Sequence, residues 1–513
     1  MKFNARQLLN ISLLLLFGFV LLRTAWVGDD AYITMRTVDN LLNGYGPTWN
    51  VGERLQTFTH PLWMFILTIV YAITRDAYIS LLGLSLFVSL VVIWIFLKHT
   101  SEDTYSVFIG WVILLLSNAS LDYSTSGLEN PASHLLVLLF TLAYLKWNDQ
   151  RSQNRILILA LLAGLLTLNR MDLLLLCLPA LLDLVVPVET GRRVRLLVLG
   201  FAPFILWELF SIIYYGFPFP NTYYAKLNTG ISQYTLIKHG ALFFFNSIVW
   251  DPITLITIGI SFLLSMVVGD KPEKMISLGI GIYLAYVVWI GGDFMTGRFL
   301  SVPLLSAVIL LVRSLTRFSF AQKTALLAVL ILLGLMTDRP SFNAAPAQDL
   351  EFETFTGVGD EQAAYYPATG LLREGRVTNV PDHQWYYDGL ALRDQNVNVY
   401  EGKGIGFLGF AAGPNVHVID IFALSDPLLS HLPVQSKTEV LIGHFRRSVP
   451  DGYLETLETG RNEIKDPGIA EYYKKLLLIT RGKIWSFERW QAIWKLNMGQ
   501  YDDLLAPYIN KLN

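Results

Sequence analysis

The chain has 513 residues, 53% of them hydrophobic and only 16% charged, with a mean hydropathy of +0.44. That balance excludes an ordinary soluble protein and marks an integral membrane protein. The 39 basic and 41 acidic residues leave a formal net charge of -2, without the basic excess that nucleic acid would need, and the single cysteine, Cys177, excludes a disulfide framework or a cysteine zinc cluster.

The first stretch, "MKFNARQLLNISLLLLFGFVLL", has a short basic region and an apolar run with no small-residue cleavage site behind it, so it predicts an uncleaved first transmembrane helix. It ends at "WVGDDAYITMRTVDNLLNGYG", where two adjacent carboxylates, Asp29 and Asp30, open an amphipathic helical pattern. The next apolar segment, "HPLWMFILTIVYAI", covers 60 to 73 and is too short to cross ~30 Å of hydrocarbon. It reads as a re-entrant or interfacial helix.

Apolar runs then recur with centres near residues 88, 112, 139, 162, 179, 205, 261, 282, 306 and 329. With the first, centred near residue 18, they make about eleven spans of a polytopic α-helical membrane protein. Basic residues fall on one side of that count: Lys2 and Arg6, Lys98, Lys146 with Arg151 and Arg155, Arg192 with Arg193 and Arg195, Lys271 with Lys274, and Arg313 with Arg317 and Lys323. The positive-inside rule puts this side in the cytoplasm and Asp29, Asp30 and everything after residue 338 outside. Treating 60 to 73 as a full crossing would invert the loops from 98 to 323 and carry the Arg192 cluster outside.

From residue 338 polar, Gly- and Pro-punctuated sequence replaces the apolar runs. Strand-like "NVNVY" and "NVHVIDIFAL" alternate with helix-like "GIAEYYKKLLLIT", which predicts a small α/β domain. The expected organisation is a transmembrane domain over 1–337, with a long first outer loop at 28–77, and an extracytoplasmic α/β domain over 338–513.

The outer loops hold the chemistry. Asp29, Asp30 and Arg36 lie in the first; Glu129 in "STSGLENP"; Arg170 with Asp172 in "LNRMD"; Tyr223, Tyr224 and Lys226 in "YYGFPFPNTYYAKLN"; Asp293 and Arg298 in "GGDFMTGRF". Singly, each has an ordinary structural reading. Asp30 can cap a helix, Arg170 and Asp172 can be an interfacial ion pair, Glu129 and Asp293 can be turn residues, and the tyrosines can belong to an aromatic belt.

Their order along the chain carries more. The acidic pair after the first span, the long first outer loop, the multi-span body and the outer C-terminal domain resemble the GT-C glycosyltransferases, which use polyprenyl-phosphate sugars. More narrowly, "GDDAYITMRTVDNLLNGYGPTWNVGERLQTFTHPLW", "SGLENP", "LNRMD", "PFPNTYYAK", "GGDFMTGRF", "GIGFLGFAAGPNVHVIDIFALSDPLLSHLP" and "GHFRRSVPDGYLE" look like the branch that contains the mycobacterial terminal arabinofuranosyltransferase and the pilin arabinosyltransferases of Gram-negative bacteria. The resemblance implies a multi-pass enzyme of the bacterial cytoplasmic membrane with its active site on the extracytoplasmic side. It would move a sugar, arabinofuranose by this likeness, from a polyprenyl-phosphate donor to a cell-envelope glycan or glycoprotein.

That chemistry needs a carboxylate at the acceptor hydroxyl and positive charge at the leaving phosphate. Asp29 or Asp30 suits the first role, and Arg170, Arg298, Lys226 and His60 suit the second. Arg36, Glu129, Tyr223, Tyr224, Asp293, His444 and Arg446 are candidates for substrate contact, with Arg447 beside them. A divalent cation beside Asp29 and Asp30 would be compatible with the pair, although neither a His cluster nor carboxylate spacing demands one. Two other classes stay open from residues alone: a transporter, which would place ionisable groups near the bilayer midplane, and a glycan-binding membrane protein without chemistry.

Overall fold

A computed structural model describes residues 4–146, 153–186, 188–227, 229–337, 339–343, 356–437 and 441–512. Arg151 and the predicted domain boundary at residue 338 lie outside the described residues. The described chain is mostly helical, and every predicted span centre falls inside a helix, from Ala5–Thr24 to Phe320–Leu335. Capping boxes start several of these helices: Asn4 with Gln7, Asp270 with Glu273, and Ser319 with Gln322 each satisfy backbone donors reciprocally.

Length separates the helices. Ala5–Thr24, Ala77–His99 and Arg298–Leu315 are long and apolar enough to cross a bilayer. The pairs Thr190–Gly200 with Ala202–Tyr214 and Gln233–Trp250 with Pro252–Val268 are bent by 67° and 110°, so among the described residues three helices, or up to five spans if each pair counts once, meet the criterion. The expected figure of about eleven is not reached by this measure, because other apolar helices, among them Thr104–Leu116, have only 10–17 residues. The sharper bend has a local cause: Pro252 opens its helix, and Asp251 before it takes an extended φ of -144°. The segment expected to be interfacial forms the 14-residue helix Pro61–Thr74, started by Pro61 and ended by Arg75 in the left-handed region.

The chain forms two compact units. One contains 1–28, 78–205 and 233–380; the other contains 29–77, 206–232 and 381–513. The grouping departs from the predicted line at 337/338, because the first outer loop packs with the C-terminal third.

In the second unit, the strands Val399–Gly402 and His417–Asp420 pair in parallel, joined across the helix Ile405–Ala412. Parallel pairing requires such a crossover. This βαβ element carries the α/β character; the rest of the C-terminal region is helical, with Tyr453, Ile469, Tyr472, Leu476 and Ile493 in one apolar core. The amphipathic helix Asp29–Leu42 contributes Ile33 to a second core with Trp49, Leu408 and Val418. Asn50 extends the contact: its amide donates to the Val418 carbonyl and accepts the Val418 N–H, both at 3.1 Å.

Candidate active site

Asp29 and Asp30 are the first two residues of the helix Asp29–Leu42, where the helix dipole favours negative charge. The two side chains have different surroundings. The Asp29 carboxylate is buried and accepts the backbone N–H groups of Gly406 at 3.1 Å and Phe407 at 2.6 Å. These are orphan donors in the first turn of Ile405–Ala412, which starts at left-handed Gly404 without a side-chain cap of its own. Asp29 thus caps a helix remote in sequence. A Cβ at Gly406 would lie 1.9 Å from the Asp29 carbonyl oxygen, so only glycine allows the approach. Burial pushes the Asp29 carboxyl up to about 7; the Phe407 N–H opposes that shift and the neighbouring Asp30 charge adds to it.

Asp30 is half-buried. One turn further along the same helix face, Thr34 meets His60, with Oγ1 2.8 Å from Nε2. The imidazole therefore lies beside the turn that carries Asp30.

Arg36, expected at a substrate, is instead fully built into the fold. Its guanidinium donates to the carbonyls of Trp49 at 2.8 Å, Gly409 at 2.6 Å and Val416 at 2.7 Å, and packs 4.2 Å from the Trp49 ring. Burial pulls it down to about 9. A substrate would have to displace those backbone contacts, each of which satisfies a buried carbonyl.

The first unit brings together four predicted residues from three loops. Glu129, 1% exposed, lies 3.3 Å from Arg298 and 3.6 Å from Arg170, and Arg298 is 3.9 Å from Asp293. Arg170 is the more committed cation. Its fork is filled by Asp172, with contacts of 3.1 and 2.6 Å, Tyr283 donates to the same carboxylate, and the guanidinium lies 4.6 Å from the Phe299 ring. Charge-assisted N–H···O bonds are typically ~2.7–2.9 Å, so the Glu129 and Asp293 contacts hold Arg298 more loosely than Asp172 holds Arg170.

The remaining candidates divide by exposure. Tyr223 and Lys226 are exposed on Asn221–Leu227, whereas Tyr224 turns inward and stacks on His431 at 5.6 Å. Asn221 fixes this helix by donating to the carbonyls of Ala423, Leu424 and Asp426. Arg446 is exposed; Arg447 is buried and holds the carbonyls of Leu432, Phe445 and Ala225. His444 lies edge-on to Phe422 at 4.9 Å.

Sequence reasoning missed one buried network. Arg339 pairs with Asp122 at 2.5 Å and Asp360 at 3.0 Å and bonds Gln362. Nothing in the local patterns around these residues signals it. Among the described residues no three His, Cys, Asp or Glu side chains converge on a cation position, and both Asp29 oxygens accept backbone N–H groups.

No family model matches the chain. It is 26% identical to the terminal β-(1→2)-arabinofuranosyltransferase of Mycobacterium tuberculosis, over 85% of this chain and 83% of that protein. It is also 26% identical to the Corynebacterium glutamicum protein of the same name, over 55% of this chain and 47% of the relative. The crystal structure of ArnT from Cupriavidus metallidurans bound to undecaprenyl phosphate superposes with a TM-score of 0.44 and 14% identity over 64% of each chain, a likeness too low to bear on mechanism. Over most of its length, then, this chain resembles the terminal arabinofuranosyltransferases, as its ordered motifs predict.

Proposed function

We propose that the chain is a GT-C membrane glycosyltransferase that transfers a sugar, arabinofuranose by its likeness to the relatives, from a polyprenyl-phosphate donor to a hydroxyl of a cell-envelope glycan or glycoprotein on the outer face of the cytoplasmic membrane. The match over 85% of the chain supports the reaction class. What supports the residue assignment is the pair's position: both Asp29 oxygens accept backbone N–H groups of a remote helix, and half-buried Asp30 follows it at the start of the same helix.

In this reading Asp30 accepts the proton of the acceptor hydroxyl as its oxygen attacks the anomeric carbon. The bond from that carbon to the phosphate oxygen breaks, and polyprenyl phosphate leaves with the electron pair. General-base assistance of this kind is worth ~10²- to 10⁴-fold. Asp29 is a positioning residue, acting through the cap it makes. Within the first unit, Arg298 is the candidate for the donor phosphate, oriented by Glu129 and Asp293, and Arg170 braces Glu129 from its ion pair with Asp172. Lys226, Tyr223 and Arg446 are exposed and are candidates for contact with donor or acceptor, and His60 meets Thr34 one turn beyond Asp30.

The test is direct. Purified protein in lipid nanodiscs is incubated with a panel of polyprenyl-phosphate sugars and an envelope glycan acceptor, and release of polyprenyl phosphate is followed. Consumption of the arabinofuranosyl donor supports the reading; no consumption of any lipid-linked sugar overturns it.

A further inference from the structure

The C-terminal helices carry an apolar surface that the proposed chemistry does not use. Trp485, Phe487, Trp494 and Met498 are 75%, 77%, 62% and 57% exposed. Three of them lie on the helix Phe487–Asn497 or at its end, at spacings of seven and four residues, which puts them on one face. The opposite face, with Arg489, Ala492, Ile493 and Leu496, is buried. The exposed side therefore presents the large apolar side chains of Phe487, Trp494 and Met498 with Glu488 and Gln491 between them.

Its neighbours indicate what covers it. Arg489 donates to the carbonyls of Ile213 and Tyr214, both at 2.8 Å, and Asn497 donates to Gly216 at 3.0 Å. The helix is thus clamped to the end of Ala202–Tyr214, half of a bent candidate span whose Leu206 and Leu209 point outward, 64% and 52% exposed. Trp207 of that span also meets Phe65 of Pro61–Thr74, a helix that exposes Ile69 and Ile73. The aromatic stripe continues a surface whose composition is that of a lipid-facing one. Lys483 is exposed and Lys495 half-exposed beside it, suited to phospholipid phosphates.

We infer that residues 483–498 are an interfacial membrane anchor, with Trp485, Phe487, Trp494 and Met498 seated at the headgroup–acyl boundary of the bilayer and Lys483 and Lys495 on its phosphates. A glycan subsite is the rival occupant, since tryptophans stack on sugars. Phe487 and Met498 offer no hydrogen bonds to hydroxyls, and continuity with the outward apolar residues of Ala202–Tyr214 favours lipid. The inference extends the proposed function without depending on it, because any membrane-spanning chain could use such an anchor.

The native cysteine is buried, so single introduced cysteines can be spin-labelled in the full chain. Phe487→Cys, Trp494→Cys and Gln491→Cys report the stripe, and Glu458→Cys reports exposed surface elsewhere in the same unit. Gln491 is itself exposed, so its replacement removes no packed side chain and keeps the test valid if an aromatic variant fails to fold. In phosphatidylethanolamine–phosphatidylglycerol nanodiscs the stripe labels should collide several-fold more with oxygen, and several-fold less with a water-soluble nickel chelate, than the Glu458 label. Nickel accessibility equal to that at Glu458 would overturn the anchor, and a change on adding acceptor oligosaccharide would then mark a glycan surface. Shielding from both reagents would also overturn it, by showing that protein covers the stripe.

Discussion

The carboxylate of Asp29 accepts the backbone N–H of Phe407 at 2.6 Å, across 378 positions of sequence. This bond, with its partner at Gly406, gives one member of the acidic pair a structural task; the proposed mechanism assigns the proton transfer to the other.

The approach itself can be tested at Gly406. A methyl there would meet the Asp29 carbonyl oxygen at 1.9 Å, which no side-chain adjustment relieves. Overpacking of this kind costs ~1–3 kcal/mol. Gly406→Ala should therefore lower the melting temperature of the purified protein and reduce transfer, while Gly83→Ala, where nothing lies within 4 Å of the added atom and the backbone is not left-handed, should have the smaller effect on both.

The pH dependence of the cap follows from its direction. Asp29 titrates near 7 in the folded chain against 3.8 as the ordinary value, so its protonated form is preferred by the fold. Its contribution is complete below the unfolded value and is lost as pH rises through about 7. Asp29→Asn keeps an acceptor oxygen without a titrating proton. Between pH 4 and 7.5 the wild type should lose more stability than this variant, measured as the difference of the two melting curves; parallel curves would remove Asp29 as the titrating group.

The two arginines should respond differently to the same change. Lys keeps the charge and loses the planar fork. Arg298→Lys should weaken donor binding at little cost in stability, whereas Arg170→Lys should lower the melting temperature, since it breaks the two contacts to Asp172. Donor titration and thermal unfolding of both variants check this; unchanged donor affinity in Arg298→Lys would remove that residue from the phosphate.

Sidedness rests on the loop arginines. An epitope placed beside Arg192 should be reached only from the cytoplasm, and one after Lys465 only from outside, because the positive-inside rule requires it. Exposure of the Arg192 tag outside would mean that Pro61–Thr74 makes a complete crossing.

Much of this architecture was legible in the sequence where the signal is local. Every span centre read from the apolar runs falls inside a helix, although Gln233–Trp250 was not foreseen, and the short reach of "HPLWMFILTIVYAI" foretold the 14-residue helix Pro61–Thr74. The strand patterns around Val399 and Val418 also marked real strands. Long-range partners were not legible. Arg36 has the composition of a substrate ligand, yet its fork is spent on carbonyls 373 and 380 positions away. Arg446 and Arg447 are indistinguishable as letters; one is exposed and the other buried. The glycines of "GIGFLG" did carry a trace of the docking, since their spacing makes room for Asp29 and Trp49, but spacing alone does not name the partner.

The central claim, that the pair divides into a cap and a proton acceptor, is tested most directly by turnover of Asp30→Asn beside Asp29→Asn. Asn keeps the size of Asp and one acceptor oxygen and takes no proton at neutral pH, so transfer from the lipid-linked donor by Asp30→Asn should fall at least ~10²-fold with its melting temperature unchanged, whereas Asp29→Asn, which keeps one of the two cap bonds, should lose stability and keep most of its turnover where it is folded. Wild-type turnover in folded Asp30→Asn, or loss of turnover in Asp29→Asn alone without loss of stability, would contradict the account.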